Sequence, residues 1–301
     1  MQKEKKIVGV LGLGSMGGNV ARLLHREGYE LVLYDRNSVR YEYFSGYNDV
    51  HTSTSIETFG KQIAEHHAKI IWMMLPGGEV TNNMILQLRT FLPNETIVID
   101  GSNSLYEDSI KNNEILKQNS IKYLDVGCAG GPEDLKNGVA LMIGGDKTAF
   151  IIAEEVFKVV CGKGTYGYVG NSGAGHATKL VHNIIFYSIF PAYAEGIAIL
   201  DGVAKSKAPI IDMERAIELL SKSPPITVDI MTAMLEVVKK KELPVDIQEI
   251  KISEIVRRGV VKAQELGVKV GVTNAIIKNY GEMPHFANRI YIAAKRIITG
   301  H

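Results

Sequence analysis

Cysteine is nearly absent from this chain, with only Cys128 and Cys161 in 301 residues. Two cysteines form at most one disulfide and lack the paired spacing of a zinc site, so a disulfide-stapled module is excluded. A reduced, cytoplasmic setting is expected. An excess of either charge is missing too, with 34 basic residues against 33 acidic ones. No global positive field favours a polyanion, so nucleic acid is not an expected partner. Long unbroken apolar runs are also lacking. Lys3-Glu4-Lys5-Lys6 leads into Ile7 to Gly18, but the five glycines of that stretch read as a tail entering a strand, not a secretion signal. Leu180 to Leu200 is interrupted by His182, Asn183, Pro191 and Glu195, which reads as a buried helix and not a membrane span. What remains is 46% hydrophobic and 22% charged, the balance of a globular chain with a sizeable core.

The first 165 or so residues alternate short apolar runs with longer periodic stretches. Ile7 to Leu11, Leu31 to Tyr34, Ile70 to Met74 and Ile97 to Ile99 are apolar without alternation, as in strands covered on both faces. Asn19 to Arg26, closed by Gly28, and Val80 to Phe91, closed by Pro93, have the period of helices. Later strands are expected at Lys122 to Val126, Ala140 to Ile143 and Gly167 to Val169, with a helix over Lys147 to Val160. Strand-helix repetition of this kind builds a doubly wound parallel sheet. Beyond Gly175 the period is near 3.6 throughout, over roughly 174–203, 212–222, 226–241, 246–266 and 272–298. Pro191 is expected to kink or interrupt the first of these helices. The fold class is therefore α/β, a Rossmann-type doubly wound sheet over 1–170, followed by an all-α domain over 171–301.

Gly12-Leu13-Gly14-Ser15-Met16-Gly17 lies between an expected strand and an expected helix. The first glycine permits a tight turn, the second lets a pyrophosphate approach the backbone, and the third lets helix and strand pack closely. Asp35 ends the next strand, eighteen residues past Gly17, where a carboxylate would accept from the adenosine ribose hydroxyls. The pair predicts a bound dinucleotide. Asp35 favours NAD, because its charge repels a ribose 2'-phosphate; Arg36 beside it fits adenine stacking, pairing with that phosphate of NADP, or plain solvation. Leu75-Pro76-Gly77-Gly78 and Asp100-Gly101-Ser102-Asn103-Ser104 end two further strands, where ligands of open sheets collect. Leu75, Pro76 and Asn103 are candidate contacts there, although each loop also reads as a plain turn. Cys128-Ala129-Gly130-Gly131 offers small residues that permit close approach to a ligand or simply form a turn.

Gly175, Lys179, Asn183 and Tyr187 recur every four residues and share one helix face. A lysine among apolar neighbours has a lowered pKa, which suits a general base near neutral pH. On spacing alone, a lysine whose ammonium snorkels to solvent is the simpler reading. His176 and His182 read as interior or rim histidines, and no constellation demands a metal.

In this order the segments resemble the beta-hydroxyacid dehydrogenase superfamily, and within it the short 6-phosphogluconate dehydrogenases. The resemblance rests on Gly12 to Gly17, Asp100 to Ser104, Asp125 to Gly145, Ser172 to Tyr187 and Phe286 to His301. Asn103 and the His182-Asn183 pair point to the phosphogluconate branch. The resemblance implies a metal-free oxidative decarboxylation of a small anionic sugar acid. Lys179 would take the 3-hydroxyl proton while hydride passes to the nicotinamide of NAD or NADP. Asn103 and Asn183 would hold the sugar hydroxyls and carboxylate, with Ala129, Gly130, Gly131 and His182 around them, and Tyr187 would meet the phosphate. Lys295, Arg296 and His301 would reach into a neighbouring subunit's site, which implies a homodimer.

Three positions depart from the family pattern. Phe186 stands where the family has a glutamate that protonates the enediol, Ala129 replaces a serine, and Lys295-Arg296 shifts the terminal arginine by one residue. Two other readings follow from these departures: a non-decarboxylating 3-hydroxyacid dehydrogenase or semialdehyde reductase, and a catalytically silent NAD(P)-sensing protein.

Overall fold

The computed structural model describes residues 6–205 and 210–222, together with isolated helical positions between 236 and 293. The expected helices over 226–241, 246–266 and 272–298 fall largely outside the described residues, as do Lys295, Arg296 and His301. Two compact units are present, Met1–Leu180 and Val181–His301.

The first unit is built on eight strands: β1 (Ile7–Leu11), β2 (Glu30–Tyr34), β3 (Val50–Ser53), β4 (Ile70–Met73), β5 (Ile97–Asp100), β6 (Lys122–Ala129), β7 (Ala140–Gly145) and β8 (Thr165–Gly170). They form one sheet in the order β3-β2-β1-β4-β5-β6-β7-β8. Strands β1 to β6 run parallel, whereas β7 pairs antiparallel with β6 and parallel with β8. The doubly wound parallel sheet expected from the sequence is present, with one antiparallel pairing between β6 and β7. The 129–139 connection is too short for a helical crossover and returns the chain as a hairpin.

Both faces of the sheet are covered, which is why its strands lack alternation. On one face Val10, Leu33, Trp72, Ile99 and Val126 pack against α1 (Ser15–Arg26) and α5 (Lys147–Cys161). Trp72 meets Phe157 of α5 edge to face at 6.1 Å. On the other face Leu11, Val32, Ile71 and Val98 meet α2 (Ile56–Glu65), α3 (Glu79–Phe91) and α4 (Tyr106–Lys117). Each such side chain, fully buried, contributes about 1.5–3 kcal/mol.

Three elements had escaped the sequence pattern. Strand β3 reads Val-His-Thr-Ser and sits at the sheet edge, so it carries almost no apolar signal. Helix α2 is capped by Ser55, whose side chain accepts the Thr58 N–H. The buried face of α4 is formed by Ser109, Asn112 and Leu116, so its periodicity is mostly polar. Asn112 Nδ2 donates to Asn82 Oδ1 of α3 at 2.9 Å, which compensates its burial.

Helix α6 (Ala174–Ala204) begins in the first unit and continues into the second, where α7 (Met213–Ser221) follows. Pro191 does not end it: the helix is one element across that position. Its first turn is held by Asp125 of β6, fully buried, whose two carboxylate oxygens accept the N–H groups of Gly173 at 2.7 Å and His176 at 2.9 Å. A long-range carboxylate thereby satisfies donors that a helix start leaves open. No described helix is long and apolar enough to cross a membrane.

Candidate active site

The strand order reverses between β1 and β4, and a cleft of about 630 Å³ opens beyond their carboxyl ends. Gly12 has φ +89°, and a Cβ there would land on the Met74 carbonyl oxygen. A Cβ at Gly17 would land on the Gly12 carbonyl oxygen. Both positions therefore require glycine. Gly14 caps α1 without a side-chain hydrogen bond, leaving the helix N-terminus bare, as a phosphate-binding cradle requires. Gly12, Gly14, Ser15, Met16 and Gly17 line the cleft with Asp35, Arg36, Leu75 and Pro76. Leu13 is buried instead, and its N–H donates to Asp35 Oδ2 at 2.6 Å.

Asp35 is the best-supported carboxylate of the cleft. Asn37 N–H donates to its Oδ1 at 2.8 Å, and Arg40 Nη1 pairs with its Oδ2 at 2.9 Å. Burial on its own raises its pKa, but the Asn37 and Leu13 N–H bonds and the Arg40 guanidinium outweigh that and hold it below the usual carboxylate range. Arg40 also lines the cleft and was missed in the sequence, because it lies on a short 3-10 turn (Ser38–Phe44) without periodic signal. Val80, Asn83, Met84 and Gln87 of α3 line the opposite wall. Their i, i+3, i+4, i+7 spacing was visible in the sequence as one helix face.

Asn103 is exposed and does not line the cleft. Its loop is nevertheless shaped from below. Asp100, fully buried, accepts the Ser102 N–H at 2.9 Å and the Tyr123 hydroxyl at 2.7 Å. Burial, with the Asp100 charge added to it, raises the Tyr123 phenol well above its ordinary value. Ser102 and Ser104 share a hydroxyl contact at 2.7 Å beneath the loop.

Lys179 sits on α6 beside the end of β6. A Cβ on Gly127 would land on the Lys179 Cβ, and one on Gly175 would land on the Asp125 and Met142 carbonyl oxygens. Two glycines thus let the helix lie directly on the sheet and set the lysine against Cys128. Burial lowers the Lys179 ammonium from 10.5 to about 8, with the Cys128 thiol opposing weakly. Burial likewise pushes the Cys128 thiol up to about 11. Lys179 is nonetheless only partly buried, so its ammonium is desolvated by the packing without being sealed from solvent. His176, 2% exposed, is an interior histidine whose Nδ1 meets Ser109 Oγ at 2.7 Å.

Across the small-residue loop, Ala129 is partly buried and Gly130 has φ +138°. Gly131 N–H donates to Asp134 Oδ2 at 2.5 Å, which closes the turn. In the second unit, α6 carries His182, Asn183 and Tyr187. His182 Nδ1 lies 3.3 Å from Asn183 Oδ1. Phe186 stacks parallel to His182 at 6.4 Å and packs against Tyr187 and Phe190, each at 5.4 Å. Burial raises the Tyr187 phenol.

A family model described as the NAD binding domain of 6-phosphogluconate dehydrogenase matches residues 7–170. The chain belongs to this family. Among curated proteins it is 33% identical over 196 residues to the NAD-dependent, decarboxylating 6-phosphogluconate dehydrogenase of Haloferax volcanii. That match covers 64% of this chain and 63% of the relative, so over a third of each lies beyond it. Among solved structures, a Mycobacterium tuberculosis 3-hydroxyisobutyrate dehydrogenase with L-serine superposes with a TM-score of 0.75 at 17% identity, over 98% of this chain and 99% of that one. A Plasmodium falciparum 6-phosphogluconate dehydrogenase gives 0.76 at 18% identity, over 95% of this chain and 62% of that one. These likenesses establish that the fold is shared with both dehydrogenases. The glycine cradle, the bare start of α1 and the supported Asp35 fit a nicotinamide dinucleotide.

Proposed function

We propose that the chain catalyses NAD(P)-dependent oxidation of 6-phosphogluconate or a closely related sugar acid, followed by decarboxylation. The observation that carries the reading is Lys179: a partly buried lysine whose ammonium desolvation lowers to about 8, on a helix that glycines let pack against the sheet of an NAD-binding domain. When bound, the nicotinamide cofactor supplies the hydride acceptor. Lys179 Nζ, neutral, accepts the proton of the 3-hydroxyl as that carbon gives up its hydride. The resulting 3-keto acid loses carbon dioxide because its carbonyl accepts the electron pair of the breaking bond, and the Lys179 ammonium returns the proton to that oxygen. Asn183 and Asn103 orient the hydroxyls and carboxylate, and Tyr187 meets the distal phosphate. Lys295, Arg296 and His301, donated by a second subunit, complete the anion site of a homodimer. Asp35 selects NAD, with NADP accepted to the extent that Arg36 and Arg40 offset its charge.

Incubation of the purified protein with 6-phosphogluconate and each cofactor tests the proposal directly. Reduced cofactor and carbon dioxide are expected in equal amounts, and no reduction with either cofactor rejects the substrate.

A second reading is favoured by Phe186, which packs among aromatic rings and carries no proton to donate. It is oxidation of a 3-hydroxy acid without decarboxylation, or reduction of the matching semialdehyde. Turnover of 3-hydroxyisobutyrate or glycerate, with no carbon dioxide released from 6-phosphogluconate, selects this reading.

A further inference from the structure

Glu30, His51 and His66 are separated by 21 and 15 residues and form no recognisable motif, yet the fold brings them together. Glu30 opens β2, His51 lies on the edge strand β3, and His66 is the C-cap of α2. Glu30 Oε1 lies 2.8 Å from His51 Nε2 and 3.2 Å from His66 Nδ1. All three donor atoms fall within 4.8 Å of one another. We propose that these residues form a binding site for a borderline divalent transition ion, with zinc as its representative.

Three observations support it. First, two imidazoles and one carboxylate are a donor set that zinc takes with a further position left for water, whereas magnesium and calcium favour oxygen alone. Second, bonds of about 2.1 Å place tetrahedral donors about 3.4 Å apart, so the carboxylate oxygen and the two nitrogens need little translation. Third, the site is accessible: the His51 and His66 side chains are 25% and 28% exposed, while Glu30, at 7%, is a fixed anion below them.

The present arrangement is a hydrogen-bonded one. Both rings turn a nitrogen toward the same Glu30 oxygen, and they stack at 3.9 Å with 29° between their planes. In-plane lone pairs of rings stacked so closely do not converge on one point. Binding therefore opens the stack, so that each ring presents one unprotonated nitrogen to the ion. His66 is the ring free to turn, because it ends α2 and is followed by His67 at φ +54°.

The ion would tie three separate elements at the edge of the sheet, where β3 has a strand neighbour on one side only. Glu30 and Asp35 lie at opposite ends of β2, roughly 16 Å apart at the rise of a strand. The site is a staple remote from the cofactor cleft, and its effect is on stability and not on turnover.

The test is a titration of the chelator-treated full-length protein with zinc, read by calorimetry and by thermal unfolding. One ion per chain is expected, together with a rise in the folded-to-unfolded ratio of about 100-fold when free zinc is 100 times its dissociation constant. His51→Gln and His66→Gln each keep a hydrogen-bonding group toward Glu30 and should weaken zinc binding tenfold or more, at about unchanged dehydrogenase activity. X-ray absorption of the zinc-loaded wild-type protein reads the donors without any variant and should show two imidazoles with oxygen. No uptake, uptake indifferent to both substitutions, or a sulfur donor in the absorption spectrum overturns the proposal.

Discussion

Lys179 links activity to stability in a way that one substitution can separate. Lys179→Met keeps the aliphatic stem against Gly127 and Cys128 and deletes the ammonium. The lowering from 10.5 to about 8 means that the folded protein carries this charge at a cost of about 3 kcal/mol, taking 1.36 kcal/mol per pKa unit. The folded pKa lies below the unfolded one, so the cost is fully present below pH 8. Stability then rises as pH climbs from about 8 to 10.5, where the unfolded lysine still binds a proton that the folded one has released. The substitution should therefore stabilise the protein by up to about 3 kcal/mol at pH 7, with the gain disappearing above pH 10.5. Turnover should fall by about 10²–10⁴-fold, the contribution of a positioned general base. Urea unfolding of both proteins at pH 7 and at pH 10.5 measures the first effect, and initial rates measure the second. In the parent enzyme kcat/KM should rise with pH and level off near pH 8, because the base must be neutral. A variant less stable than the parent at pH 7, or one equally stabilised at both pH values, would refute the desolvation argument. Retained turnover would remove Lys179 from the chemistry.

Gly12→Ala forces φ +89° on a residue with a Cβ and drives that atom into the Met74 carbonyl, so cofactor affinity should drop sharply in a fluorescence titration with reduced NAD. Asp125→Ala orphans two buried N–H groups at the start of α6 and should destabilise the protein by about 3 kcal/mol, seen as a lower urea midpoint. Asp35→Asn removes the charge that repels a 2'-phosphate and leaves Arg40 beside it. The ratio of kcat/KM for NADP over NAD should rise, and an unchanged ratio would exclude Asp35 as the selector.

Seven of the eight strands were legible in the sequence as short apolar runs, most of them with both faces buried, whereas the outer strand β8 is only partly covered. Helices α1, α3, α5, α6 and α7 were legible from their period. Strand β3 and helix α4 were not, since an edge strand and a helix that buries Ser109 and Asn112 carry little hydrophobic signal. The phosphate turn was readable from the spacing of Gly12, Gly14 and Gly17 before a helix start, although the closure of the Met74 carbonyl on Gly12 was not. Arg40 was not readable, because its importance comes from reaching back to Asp35 across a turn.

The sequence alone determined the strand-helix rhythm, the glycine turn, the acid after β2 and the four-residue spacing of Gly175, Lys179, Asn183 and Tyr187. All of these are set by neighbours within a turn or a strand length. Only the tertiary structure decided how far Lys179 is desolvated. Its pKa depends on what lies over it, and that is Gly127 and Cys128, some fifty residues earlier in the chain, on a strand against which a glycine face lets α6 pack. The same holds for Asp125 under the start of α6 and for Glu30 between His51 and His66. Desolvation and convergence of polar groups are properties of three-dimensional proximity, and no period or spacing along the chain encodes them.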